Sequence, residues 1–350
     1  MRGWRRRAVL LVGVWAVAAP LAQPAADNDS LAARERLMRK GDELAAAGSY
    51  KSAIETFQQV LATNQRDSAA LYEIARSYLS LGDFKNCVMY AGRSLEVQAT
   101  SDSYNLLGNC REEVGDKIAA LGTFERGLAR YPGDIALNLS YAAALARQHR
   151  GDEAKPHLQL VIRADASYAP PYLTYAGVLA GEKNAVGALY MWVRFLMLEP
   201  GTQRSRSVAQ YLKELLTPAA DAKTGKPMTI RLATGDDPRD DFPTNPRIPA
   251  FTLKVSAKSE QRKPADQFVS NAQLMFAVIA DSIERDTPRD RQTFVWQNAG
   301  VPITDLERAR LRETFLYYVA GLAGLDGAAT WLDAHASEFE ALKAELAKRN

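Results

Sequence analysis

The chain has 350 residues, enough for two domains or for one elongated repeat array with a cap. Apolar residues make up 47% and charged residues 24%, a globular composition that excludes a disordered chain. Residues 1–22 hold Arg2, Arg5, Arg6 and Arg7 and no acid. The remainder has 40 basic and 41 acidic residues, a net charge of −1, which excludes the broad basic field of a sequence-independent nucleic-acid binder. Three histidines and two cysteines are too few for zinc-finger, iron–sulfur or disulfide-rich scaffolds.

The first predicted element is an address. The basic start is followed by an apolar run from Ala8 to Ala19, then Pro20 and the small residues Ala22 and Ala25. This is the layout of a secretory signal peptide (residues 1–22), with cleavage expected between Ala18 and Ala26. The run is too short to span a bilayer as a helix, which needs about 20 apolar residues. No cysteine near it would accept a lipid. The expected compartment is a bacterial periplasm or the exterior, with no integral membrane segment once the signal is removed.

Five copies of one pattern follow, spaced by about 34 residues. The first has Gly41, Leu44, Gly48, Tyr50, Ala53 and Phe57, and the second Ala75, Tyr78, Gly82, Cys87, Ala91 and Leu95. The third has Tyr104, Gly108, Gly115, Ala120, Phe124 and Pro132, the fourth Tyr141, Ala142, Ala154 and Leu158. Tyr172, Ala176, Ala188, Trp192, Phe195 and Pro200 mark the fifth. Small residues at matched positions let two antiparallel helices approach closely, and the large ones fill the space against the next pair. Gly82-Asp83 and Gly115-Asp116 read as turns between helices. The amphipathic stretch Ser205–Leu216 reads as a solvated helix closing the last face. Residues 31–216 are therefore expected to form five repeats plus a closing helix.

The pattern resembles the tetratricopeptide repeat (TPR) family, over roughly residues 34–200. That resemblance implies a mainly α fold, an α-solenoid of antiparallel helix pairs whose first helices line a concave groove. It further implies that the groove binds a peptide or a partner protein. The groove-facing positions of that family are here Tyr72, Arg76, Leu79, Asn105, Asn109, Glu112, Leu139, Ala143, Arg147 and Leu173. Asn105 and Asn109, one turn apart, are placed to hydrogen-bond a peptide backbone or simply to be solvated. Some members grip a C-terminal carboxylate with paired Lys and Asn side chains. Only Arg76 and Asn109 partly match that clamp, so its specificity does not transfer.

Residues 217–263 form a proline-rich junction, within which Met228–Ala233 and Phe251–Ala257 alternate as two short strands would. Residues 264–350 read as a small, mostly helical C-terminal domain. One helix over Gln267–Ile283 would carry Phe268, Leu274, Met275, Val278 and Ile279. A second would open on a capping box, Thr304-Asp305-Leu306-Glu307, and run through Leu322. A third would run from Gly327 to the end with Trp331, Leu332, Phe339, Leu342 and Leu346 on its apolar side. On the second helix Phe315, Tyr318, Val319 and Leu322 share a stripe, leaving Tyr317 as the exposed aromatic.

Catalytic signatures are absent: no G-x-S-x-G elbow, Ser-x-x-Lys pair, H-E-x-x-H or phosphate loop occurs. Neither a cofactor nor a metal is expected. His149, His157 and His335 have no partner close in sequence and read as surface or boundary residues. Asp236, Asp237, Asp240 and Asp241 lack the alternation and glycine of a calcium loop and read as a solvated turn. An oxidising compartment permits a disulfide between Cys87 and Cys110, whereas the packing position of Cys87 also suits a buried free thiol. The expectation is a non-enzymatic exported scaffold in envelope assembly or maintenance. The alternative is an enzyme or small-ligand receptor with its site in residues 217–350, the repeats recruiting substrate.

Overall fold

Matched small and large residues become contacts in the computed structural model, which describes residues 25–217, 229–232, 251–254, 263–285 and 294–348. The basic start with its apolar run, and the cluster Asp236–Asp241, lie outside those residues. Five helix pairs stack in chain order. They are α1 (Ala25–Ala46) with α2 (Tyr50–Thr63), α3 (Ser68–Leu81) with α4 (Phe84–Val97), and α5 (Ser101–Glu113) with α6 (Lys117–Arg130). Next come α7 (Ile135–Arg147) with α8 (Gly151–Ala164), and α9 (Pro170–Gly181) with α10 (Ala185–Leu198).

Close approach explains the small residues. A Cβ on Gly41 would run into the ring of Phe57, and one on Gly108 into the ring of Phe124, both rings being fully buried. Each turn is built from local chemistry. Gly82 and Gly115 take φ of 74° and 90°, which a side chain would resist. Asp67, Asp83, Asp116, Asp134 and Asn184 accept a backbone N–H three residues on, capping the helices that follow.

After α10 come α11 (Gln203–Leu216), strands β1 (Thr229–Leu232) and β2 (Phe251–Lys254), and α12 (Pro264–Arg285). The strands pair antiparallel, with Thr229 opposite Lys254 and Leu232 opposite Phe251. A five-residue π-helical turn, Trp296–Gly300, leads directly into α13 (Val301–Arg308), followed by α14 (Arg312–Leu322), α15 (Ala328–Ala334) and α16 (Ala336–Ala347).

Four details differ from the sequence reading. The expected capping box is not a helix start, because α13 begins at Val301 with Pro302 in its first turn, and the Thr304 hydroxyl donates to the Val301 carbonyl. That helix ends at a left-handed Arg310 (φ 58°), so α13 and α14 are separate. The last helix breaks at His335, giving α15 and α16. Leu274 faces solvent at 51% exposure, while Phe268, Met275 and Phe276 form the packed side of α12.

The largest difference concerns the array's end. Every residue of α10 from Val186 to Leu198 is buried, because one side packs in the repeat and the other is covered by the tail. Tyr190 meets the rings of Phe276 and Trp296 edge-on, at 5.7 and 5.9 Å. Phe294 stacks on Tyr175 of α9 at 5.8 Å. Nor is α11 a solvated cap: Val208, Ala209, Leu212 and Leu216 are buried, and its outer side meets α12 and α14. Gln210 Nε2 donates to the Ala323 carbonyl at 2.9 Å. One apolar core therefore runs from Ala120 to Leu346, so the boundary after residue 216 does not coincide with a break in packing.

Candidate interaction surface

First helices α1, α3, α5, α7 and α9 lie side by side along the stack, and the residues they present away from the packing positions make the candidate surface. On α3, Tyr72 is half-buried and borders a cavity of about 190 Å³ shared with Asp42 of α1 and Asp102 and Ser103 of α5. Burial raises the pKa of the Tyr72 hydroxyl, the Asp102 carboxylate adds to that, and Arg76 opposes it. Glu73, next in sequence, lines the same cavity with its side chain 15% exposed. Arg76 lies 2.9 Å from the Glu73 carboxylate and borders a second cavity of about 230 Å³ with Asp42, Tyr50 and Ser80. Asp42 and Glu73 were not anticipated from the pattern. Their signal was an acidic residue on the first helices of successive repeats, 31 positions apart.

The other anticipated residues separate into two kinds. Asn105 and Asn109 are half-buried and bonded to each other, Asn109 Nδ2 donating to Asn105 Oδ1 at 3.3 Å. Glu112 is not a free groove contact. Its side chain is 5% exposed and accepts a hydrogen bond from Arg147 Nε at 2.8 Å, a tie between α5 and α7. Leu139 and Leu173 are half-buried against the core, so the surface passes from polar in the early repeats to apolar in the later ones.

Cys87 of α4 and Cys110 of α5 are joined in a disulfide, with Cα atoms 5.7 Å apart and both residues fully buried. The bond ties the second repeat to the third, one residue after Asn109 on α5. Elsewhere, His149 sits exposed in a left-handed turn (φ 58°). His157 Nδ1 is 2.7 Å from Asn138 Oδ1, with burial lowering the imidazole's pKa. His335 stacks on Trp331 at 3.8 Å. Tyr317, expected to be exposed, is buried: Trp331 stacks on it from its other side at 4.0 Å, and the Tyr317 hydroxyl donates to Asp266 Oδ1 at 2.7 Å. The π-stack and that hydrogen bond outweigh its position off the apolar stripe.

Residues 68–100, the α3–α4 pair and its flanks, match the family model described as tetratricopeptide repeat. That pair is a tetratricopeptide repeat, and the pairs stacked on either side of it share its helix–turn–helix architecture. Among solved structures it is similar to YrrB, "a TPR protein with an unusual peptide-binding site", at 18% identity. That match covers 51% of this chain and 91% of that one, with a TM-score of 0.41. TTC0263, a thermophilic TPR protein of Thermus thermophilus, is 20% identical over 49% and 94% of the two chains, with a TM-score of 0.44. PilW, a type IV pilus biogenesis factor, is 15% identical over 54% and 87%, with a TM-score of 0.49. No curated protein matches the chain. TPR repeats mediate binding of protein partners, and TPR proteins are generally non-catalytic scaffolds. Among the described residues no helix is long and apolar enough to cross a membrane.

Proposed function

We propose that this chain is an exported TPR scaffold that holds a peptide or partner protein against the first helices of its early repeats, in envelope assembly or maintenance. The observation that carries the reading is the cavity between α1, α3 and α5. Its wall includes the carboxylates of Asp42, Glu73 and Asp102 beside the ring of Tyr72, which also packs against the core of the second and third repeats. Asn105 and Asn109 extend that polar strip, and an aromatic side chain beside hydrogen-bonding groups has the composition of an interface hot spot. Export is supported by the arginine-rich start with its short apolar run, and by a disulfide, which persists in oxidising compartments.

The test is capture of the partner from an envelope extract by the mature chain, followed by a triple variant, Tyr72→Ala, Asn105→Ala and Asn109→Ala. Arg76 is kept, because it neutralises Glu73. The variant is expected to stay folded, with a lowered melting temperature because Tyr72 packs against the core, and to lose at least tenfold in affinity, about 1.4 kcal/mol. Full retention of the partner by a folded variant would place binding elsewhere.

A further inference from the structure

The C-terminal helices leave a cavity of about 250 Å³ at the end of the fifth repeat. Tyr318 of α14 and Phe339, Leu342, Leu346 and Ala347 of α16 form its walls, with Pro200 from the loop after α10. That volume lies just under the range of ligand pockets, about 300–1,000 Å³, so it suits a short alkyl tail better than a drug-sized molecule.

One cation stands on this otherwise apolar lining. Lys343 lies on its lining, with Nζ 4.4 Å from the centre of the Phe339 ring. Arg206 of α11 acts electrostatically on the Tyr318 hydroxyl, against the burial that raises its pKa. Tyr318 and Phe339 are neighbours, their ring centres 5.9 Å apart, so Lys343 stands beside the aromatic part of the wall. Lys343 pairs with Glu340 at 2.7 Å, but both side chains are more than half exposed, and such a pair exchanges readily for another anion.

We propose that this cavity binds a medium-chain aliphatic carboxylate, with its tail between α14 and α16 and its carboxylate at Lys343. Apolar walls alone would take any alkyl chain; Lys343 selects one that ends in an anion. The site is separate from the first-helix surface, so each can fail without the other.

Calorimetric titration of the full chain with decanoate and, separately, with decanol tests this. One decanoate is expected per chain, bound at least tenfold more tightly than decanol. Ala347→Trp, which fills the cavity from an exposed position, should abolish binding of both. Lys343→Glu changes an exposed charge and should weaken decanoate severalfold while leaving decanol unchanged. The triple alanine variant of the first-helix surface should bind decanoate normally. Absence of saturable binding, equal affinity for the acid and the alcohol, or undiminished binding by folded Ala347→Trp would overturn the proposal. If Ala347→Trp does not fold, Lys343→Glu decides, and indifference of decanoate to it would sink the proposal.

Discussion

The Arg76 guanidinium lies 2.9 Å from the carboxylate of Glu73, one turn earlier on α3. The partners differ in exposure, 52% for the arginine side chain and 15% for the glutamate. Burial raises the Glu73 carboxyl above its ordinary pKa, Arg76 pulls it back, and Asp42 pushes it up again. The native state therefore holds that proton more tightly than the unfolded chain, so stability falls as pH rises from the ordinary carboxylate range through the raised value. Arg76→Ala removes the downward pull and leaves a poorly solvated carboxylate. It should cost about 1–2 kcal/mol near neutral pH, in the lower part of the range for an uncompensated buried group because Arg76 is half exposed. The loss should shrink as Glu73 is protonated in acid, and Glu73→Gln should cancel it. Urea melts of the single and double variants at the two pH values check this, and a loss independent of pH would contradict it.

The Cys87–Cys110 disulfide closes a loop of 23 residues in sequence separation. Loop-closure entropy for that length corresponds to about 3 kcal/mol. A reductant should lower the midpoint of the wild-type melt, whereas Cys87→Ala/Cys110→Ala should start lower and ignore the reductant. Since both positions are fully buried and small, alanine adds little further loss. Equal midpoints with and without reductant would show that the bond contributes no stability.

Ending the chain at residue 217 would uncover the tail-facing side of α10, Tyr190 among it, together with the face of α11 that meets α12 and α14. Large exposed apolar patches promote association. The truncated array is expected to self-associate on size-exclusion chromatography, while the full chain elutes without such aggregates. A monodisperse truncated array with an unchanged melt would show instead that the tail is dispensable to the core.

The repeat phase was legible because each repeat encodes its own contacts: Gly108 must be small for Phe124 sixteen positions later, and the same relation holds for Gly41 and Phe57. The Glu112–Arg147 tie was also within reach, being 35 residues long, about one repeat. Tail packing was not, since Tyr317 and Asp266 are 51 residues apart and no period relates them. The apolar residues of α10 outside the repeat positions, Leu189, Tyr190 and Val193, were the overlooked signal. A helix apolar on every side must be covered on every side. At the early repeats the family pattern located the surface but not its charge, because Asp42 and Glu73 occupy positions the packing leaves unconstrained.

The division of the core has a mechanical consequence. From Ala120 onward the repeats share one apolar body with the tail, whereas the earlier repeats rest on two small clusters of their own. Opening a small cluster uncovers less apolar surface than opening the large one, so local opening energies rise along the chain. The molecule is in this sense a firm base carrying a compliant arm. Its polar first-helix strip lies on the arm, where a change of curvature to embrace a ligand disturbs the least buried surface, and the disulfide sets how far the second and third repeats can part.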